Sequence, residues 1–324
     1  MRKGILENKY SNPDENNSSF AKRLWIYQKE RFPFFGHGIL VAAFSFSAIS
    51  YSRICRGAEG FVDWTTFLVG VFTTISLFFL VRIFDEFKDA EDDARYRKEL
   101  PVPRGLISLG ELKMIGIVLA ILQIVLNGLF FPKMLFLYVV VIFYLCLMGK
   151  EFFIPSWLKK HQFWYVVSHM FIIPLIDIYA SGLDWLLAEV GAPHGLVFFF
   201  GVSYMNGIVL EIGRKIRSPQ DEQTGVLTYS SMLGAGKAVK YWIAVLFVTL
   251  ILSMAASYYA GYGWMAYAIL GSIFLICCVP ALLFLNGHVP KYAKAIEWSS
   301  AGWTIAMYLS LGGIPMLEQF WRGF

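Results

Sequence analysis

The chain has 324 residues, of which 57% are apolar, 17% are aromatic and only 16% are charged. Soluble globular proteins carry about 25% charged residues, so the composition excludes an ordinary soluble domain and indicates a chain that is solvated largely by lipid. The net charge is a modest +5, and we expect no nucleic-acid partner.

The chain begins with a polar stretch. Residues 1–24 lack the apolar core of a signal peptide, and we expect them to form a disordered cytosolic tail. Residues 25–324 are expected to form a single transmembrane domain. The four cysteines show neither a C-x-x-C pair nor a zinc spacing, so we interpret them as packing residues.

Nine apolar segments follow, and a membrane-spanning helix needs about 20 such residues. The fourth segment is short, and the ninth contains two glycines and a proline. The sequence therefore predicts an all-α, polytopic membrane helical bundle with about nine transmembrane helices. The segments cover, within several residues, 36–54, 62–84, 112–131, 134–149, 163–182, 194–213, 239–259, 265–286 and 301–318.

The basic residues predict the orientation of the bundle. If the N-terminus is cytosolic, 24 of the 28 lysines and arginines lie on the cytosolic side and 4 on the other, as the positive-inside rule requires. The two longest cytosolic loops follow the second and sixth segments and are crowded with charge. We therefore expect a multi-pass protein, in the inner membrane if the source is bacterial, with its chemistry at the cytosolic face.

The first loop opens with an acidic run, "DEFKDAEDD", at residues 85–93. Asp85, Asp89 and Asp93 are four residues apart, so they share one face if the preceding helix continues through them. Carboxylate oxygens suit Mg²⁺, which is often held jointly by carboxylates and substrate phosphates. The run predicts a magnesium site that binds a diphosphate. Neighbouring basic residues leave a charge-balanced helix end as the alternative.

This run and the following "LPVPRGLIS", residues 100–108, resemble the first signature of the UbiA superfamily of intramembrane prenyltransferases. That signature reads N-D-x-x-D-x-x-x-D and then R-P-x-P-x-G-x-I-S. Asp85 stands at the Asn position, Glu86 at the first Asp, and Asp89 and Asp93 at the next two. Leu100 replaces the Arg of the second part, whose other positions match.

The second loop, residues 206–234, resembles the second acidic motif of the same superfamily, commonly D-x-x-x-D with a downstream Gly and a final L-G. Gly225 and the closing Leu-Gly match. Glu211 can take the first acidic position, but Lys215 stands four residues later. We favour a split motif in which Glu211 and Asp221 are the acids, with an insertion between them.

Basic residues of the second loop have a physical use beside a diphosphate. Arg gives bidentate contacts to phosphate oxygens and Lys gives a point charge, and both stabilise a leaving diphosphate as its charge develops. We predict this role for Arg214 and Lys215, and interpret Arg217 and Lys240 as ordinary positive-inside charges.

The resemblance implies further site residues. Tyr144 and Lys150 lie where the superfamily often has a Tyr and a Lys, although an interfacial Tyr and a snorkelling Lys are the alternative. The predicted catalytic residues are Asp85, Asp89, Asp93, Glu211, Arg214 and Lys215. The predicted metal ligands are Asp85, Glu86, Asp89, Asp93, Glu211 and Asp221. The residues predicted to bind the diphosphate are Arg104, Tyr144, Lys150, Asn206 and Asp221.

Further polar residues lie within the apolar segments. Asp177 is costly at membrane depth, so it is either functional or an interfacial Asp. We interpret His169 as a hydrogen-bonded core histidine, and Gln123 and Asn127 as helix-packing residues.

The resemblance implies an Mg²⁺-dependent enzyme that ionises an allylic isoprenoid diphosphate and transfers the prenyl group to an aromatic or other lipophilic acceptor among membrane lipids. A terpene cyclase on the same scaffold is the first alternative. A cation or solute transporter is the second, and the crowding of the acids at one face argues against it. The proposed enzyme requires the two loops to meet.

Overall fold

The computed structural model describes residues 12–223 and 225–322, and within them every regular element is helical. This confirms the predicted all-α fold. A π-helical turn, Leu309–Gly313, joins the last two helices, and a 3₁₀ turn, Glu151–Phe153, follows the seventh. The helices are α1 (Pro13–Asn16), α2 (Phe20–Arg31), α3 (Phe34–Cys55), α4 (Trp64–Lys88), α5 (Ala90–Tyr96), α6 (Leu109–Phe130), α7 (Met134–Gly149), α8 (Pro155–Lys160), α9 (Gln162–Met170), α10 (Ile172–Trp185), α11 (Leu196–Gly213), α12 (Tyr229–Leu233), α13 (Ala235–Tyr259), α14 (Trp264–Gly287), α15 (Pro290–Tyr308) and α16 (Ile314–Arg322).

Seven stretches of helix in the described chain are long and apolar enough to cross a membrane. They are α3, α4, α6, the nearly continuous α9–α10, α11, α13 and α14. Helix α7 is apolar but has only 16 residues, and it coincides with the fourth predicted segment. The ninth predicted segment falls within α15, the π-helical turn and α16. The prediction of about nine transmembrane helices is consistent with this architecture.

Side-chain caps fix the residues at which the loops end and the helices begin. The Asp63 carboxylate accepts the Thr66 N–H at 2.9 Å at the start of α4. Ser108 and Glu111 form a reciprocal capping box at the start of α6, which ends the proline-containing loop. Such caps typically contribute about 1 kcal/mol each.

Hydrogen bonds between helices hold α6 against the bundle. The Asn127 amide donates to Thr73 Oγ1 at 3.1 Å and accepts the Tyr179 hydroxyl at 2.6 Å. Tyr138 donates to the Gln123 side chain at 2.8 Å. In lipid, van der Waals packing and such polar contacts hold helices together, because apolar burial between helices gains little. The predicted packing roles of Gln123 and Asn127 are confirmed.

At the end of the bundle away from the charged loops, Asp184 ties α10 to α3. Its side chain is fully buried and accepts from Arg53 at 2.9 Å, Arg56 at 2.6 Å and Ser52 at 2.8 Å. Removing one member of such a buried network is costly, because the others lose their compensating charge.

The π-helical turn lies directly against α3. A Cβ on Gly312 would lie 2.1 Å from the backbone oxygen of Ser47, so only glycine allows this approach. π-Helical turns are rare and occur frequently at functional sites. This turn also fixes the position of Tyr308, the last residue of α15.

Gly312→Ala is expected to destabilise the protein by about 1–3 kcal/mol, because the added methyl group would overlap the backbone of Ser47, which cannot rotate away as a side chain could. The matched control is Gly302→Ala in α15, where a Cβ meets nothing within 4 Å. That change is expected to be neutral or to stabilise by up to about 1 kcal/mol. Thermal unfolding of the two variants in the same detergent checks this, and equal melting temperatures would contradict it.

Part of the expected disordered tail is ordered, which corrects the prediction. Residues 1–11 lie outside the described part of the chain, whereas α1 and the start of α2 fall before residue 25. Tyr27 and Gln28 of α2 are buried, and Arg23 pairs with Glu111 at 2.6 Å. Helix α2 has no long apolar run because it docks largely through charged side chains, and a search for apolar segments therefore misses it.

Candidate active site

The first acidic run continues helically across a shallow break. Helix α4 ends at Lys88, Asp89 stands between the helices, and α5 begins at Ala90. The Asp89 N–H donates to the Asp85 carbonyl at 2.9 Å, and the Asp93 N–H donates to the Asp89 carbonyl at 2.8 Å. The four-residue spacing of the three aspartates is therefore realised in three dimensions.

Asp85 lies among cations and aromatic rings. Its carboxylate pairs with Lys88 at 3.0 Å and lies 3.9 Å from Arg82. The Lys88 ammonium also lies 5.3 Å from the ring centroid of Tyr165, which stacks on His169 at a centroid distance of 3.9 Å. Helix α9 therefore forms one wall beside the end of α4.

The end of α11 brings the second loop to the same place. The buried Glu211 carboxylate accepts from Arg214 Nε at 2.7 Å and pairs with Lys215 at 2.7 Å. Arg214 in turn interacts electrostatically with Asp85. We call this set the charged cluster, and it consists of Asp85, Lys88, Asp89, Glu211, Arg214 and Lys215.

Asp89 and Asp93 have different surroundings. In the described chain no ion pair joins Asp89 to a basic side chain, and burial raises the pKa of its carboxyl. Asp93 is buried between Arg31 at 3.9 Å and Arg97 at 3.3 Å, and burial raises its pKa as well. Asp89 therefore has oxygens available for a cation, whereas Asp93 faces α2.

Glu86 faces away from the charged cluster. Its carboxylate, 1% exposed, accepts from Arg31 Nε at 2.6 Å and Arg82 Nη2 at 3.0 Å. The Tyr27 hydroxyl lies 3.4 Å away. Both basic partners hold the carboxylate inside the protein, and this argues against the metal-ligand role predicted for Glu86. Glu86 instead links α2 to α4.

The donor set fits a magnesium ion that is shared with a phosphate-bearing substrate. Asp85 and Asp89 offer neighbouring, partly exposed carboxylates, and Mg²⁺ is commonly bound by one or two carboxylates together with substrate phosphates. Across residues 12–223 and 225–322, no group of three or more His, Cys, Asp or Glu side chains is close enough to hold a metal ion. The substrate would therefore complete the coordination.

Two predicted residues of the loops lie outside the charged cluster. Arg104 is held by Glu30 through two contacts of 2.7 Å and donates to the Glu99 carbonyl at 2.8 Å. Asp221 is exposed, accepts from Ser218 at 2.9 Å, and lines an open cleft of the second loop. Within the described residues, no hydrogen bond or ion pair joins Asp221 to the cluster.

The three remaining predicted residues have no hydrogen bond or ion pair to the cluster within the described residues. Tyr144 donates its hydroxyl to the Ser168 carbonyl at 2.6 Å, and Lys150 is exposed just after α7. Asn206 is buried in α11, five residues before Glu211. His169, interpreted as a core histidine, donates from Nδ1 to the Tyr165 carbonyl at 2.8 Å. Sequence reasoning missed Tyr165, because an interfacial tyrosine carries no distinguishing pattern.

The two loops also touch directly. Gly225 has φ +85°, and a Cβ there would lie 2.6 Å from the ring of Tyr96, at the end of α5. Glycine is needed here both for the positive φ and for the close approach of the ring. The loop contact and the charged cluster together form one site at one end of the bundle.

Comparisons with known proteins agree with this architecture. A family model described as the UbiA prenyltransferase family matches residues 30–312. A solved structure of digeranylgeranylglyceryl phosphate synthase in membranes superposes with a TM-score of 0.61 and 18% sequence identity, covering 91% of this chain and 99% of that chain. At this identity the likeness shows a shared fold. A search of curated proteins found no match.

Proposed function

The chain belongs to the UbiA prenyltransferase family, and from that premise we propose that it uses Mg²⁺ to ionise an allylic isoprenoid diphosphate and transfers the prenyl group to an aromatic or other lipophilic acceptor. The enzyme is an intramembrane prenyltransferase. One observation carries the finer proposal. Asp85 and Asp89, which suit a metal, lie in one charged cluster with Arg214 and Lys215, which suit a diphosphate.

Five members of the cluster have a role in the proposed reaction. Asp85 and Asp89 would hold the magnesium ion, which when bound would polarise the diphosphate and favour its departure with the electron pair of the broken C–O bond. Arg214 and Lys215, both now paired with Glu211, donate to the diphosphate as negative charge grows on it. Glu211 keeps the two cations aimed at the site in the absence of substrate.

The position of the cluster protects the reaction. The allylic cation must be captured by the acceptor before water reaches it, and an apolar bundle directly beside the charged cluster excludes water from that step. We place this site at the cytosolic face, because 24 of the 28 basic residues fall on the side of the loops that build it.

The function is tested with protein in liposomes supplied with allylic diphosphates of different chain length. Diphosphate release and lipid products are measured with and without a lipid extract as acceptor source, and with and without EDTA. We expect prenylated lipid that requires both acceptor and metal. A cyclic hydrocarbon formed without acceptor would overturn transfer in favour of cyclisation, and release that persists in EDTA would overturn the metal role.

Gly225→Ala is expected to lower the prenyl-transfer rate by about tenfold or more, because displacement of Tyr96 shifts the first loop, and shifts near 1 Å can cost ~100-fold in rate. The matched control is Gly234→Ala, whose φ is +84° but whose Cβ would meet nothing within 4 Å. Initial rates of the two variants separate the ring collision from backbone strain. Equal losses would show that the loop contact is unimportant.

A further inference from the structure

Four polar side chains lie together inside the bundle, apart from the charged cluster. They come from α10, α11 and α15, and all are almost completely buried. The Ser203 and Tyr308 hydroxyls are 3.0 Å apart, Asp177 lies beside Ser203, and Asn206 lies beside Tyr308. We call this set the buried polar site, and it consists of Asp177, Ser203, Asn206 and Tyr308.

This site has more hydrogen-bonding groups than partners. Both carboxyl oxygens of Asp177 and both amide atoms of Asn206 lack a hydrogen bond of good geometry within the described residues. Ser203 and Tyr308 are the polar neighbours that these two side chains face, and no ion pair in the described chain involves Asp177. An unsatisfied buried polar group costs about 1–3 kcal/mol, and native proteins rarely leave several together. The arrangement therefore indicates an occupant.

The groups without a hydrogen-bond partner indicate which kind of molecule would bind here. The amide nitrogen of Asn206 needs an acceptor, whereas its carbonyl can only accept. A metal cation satisfies oxygens alone and would leave the amide N–H groups without a partner. A hydroxyl group both donates and accepts, and it can be supplied by a ligand or by a buried water.

Depth and surroundings favour a ligand over a water. Asn206 and Ser203 precede Glu211 on α11 by five and eight residues, which is about 8 and 12 Å along the helix. A diphosphate bound at the charged cluster would have its reacting carbon between Glu211 and these two residues along the helix axis. An acceptor bound at the buried polar site would therefore lie next to that carbon, deeper in the bundle. The Tyr308 ring packs edge-on against Phe44, with centroids 5.1 Å apart, and lies 6.0 Å from Phe199, which suits a flat acceptor.

We infer that the buried polar site binds a hydroxyl group of the lipophilic acceptor and orients its nucleophilic atom toward the prenyl cation. This inference rests on the proposed prenyl transfer and concerns only the acceptor. The π-helical turn after Tyr308 supports the arrangement by holding that residue against α3. Asp177 and Asn206 thereby become specificity-determining residues.

The inference is tested by competition with 1-naphthol and its methyl ether, which differ at the hydroxyl. Both are titrated as inhibitors of product formation from the lipid-extract acceptor, on wild type, Asp177→Asn and Asn206→Leu. We expect wild type to prefer naphthol by about tenfold or more, as sites built to bond a hydroxyl do. Asn206→Leu should reduce that preference to within about twofold, and Asp177→Asn should weaken it.

Two further measurements make the result specific. Diphosphate hydrolysis without acceptor reports the proposed function alone, and Asp177→Asn should retain it within about twofold. Ser257→Ala is the matched control, because its buried hydroxyl also lacks a partner in the described chain but lies on α13. Equal potency of the two probes on wild type, or a preference that survives in both variants, would overturn the inference and leave a water-filled structural site.

Discussion

Asp89→Asn is expected to lower the rate of prenyl transfer by about a hundredfold to a thousandfold, the range found when one preorganised electrostatic group is removed from an active site. Asparagine keeps the size of the side chain but removes the negative charge that would hold the cation. Asp89 has no ion-pair partner in the described chain and interacts electrostatically with Asp85. Initial rates in proteoliposomes, with a Mn²⁺ titration followed spectroscopically, measure both the rate and the metal affinity.

The control for Asp89 lies three residues further along the same run. Asp92 has a 66% exposed side chain and pairs only loosely with Lys159 at 3.5 Å, so Asp92→Asn is expected to change the rate by less than about twofold. If both substitutions lower activity equally, the run acts through its total charge, and the assignment of Asp89 as a ligand is wrong.

Glu86→Ala is expected to destabilise the protein by about 3–5 kcal/mol, because two guanidinium groups lose the buried carboxylate that compensates them. Removal of Arg31 should destabilise it less, since Arg82 still faces Glu86 at 3.0 Å. The two losses should be non-additive when combined, because the residues share one ion pair. Thermal unfolding of the single variants and the double variant gives the coupling energy.

A second measurement separates a structural link from a metal ligand at Glu86. Glu86→Gln keeps the shape of the side chain, and we expect it to retain Mn²⁺ affinity within about twofold, in contrast to Asp89→Asn. A loss of affinity as large as that of Asp89→Asn would restore the metal role that the motif position predicts for Glu86.

The sequence predicts the bundle well for a physical reason. A transmembrane helix must be apolar for about 20 residues, so the segments are visible without any knowledge of their partners. The spacing of Asp85, Asp89 and Asp93 is equally local, because the helix geometry that aligns them involves neighbouring residues only. Both predictions are confirmed at the level of backbone geometry.

The orientation of Glu86 could not be predicted in the same way. It follows Asp85 by one residue, which rotates it about 100° around the helix, and the sequence does not show what covers that face. The covering element is α2, which presents Arg31 from a helix that lacks a long apolar run. The position of Asp221 could not be predicted for a related reason, since the spacing of a split motif does not show how the inserted loop folds.

The pairing of Glu86 with Arg31 has a consequence for the order in which the protein is made. Arg31 is made 55 residues before Glu86, so this link between α2 and α4 can form as soon as Glu86 leaves the ribosome. Arg214 arrives roughly 130 residues later, which takes about 6–25 s at ordinary rates of translation. During that interval Lys88 and Arg82 are the partners that Asp85 has available, and the nascent chain can keep its first acidic loop neutralised until the last catalytic segment is inserted.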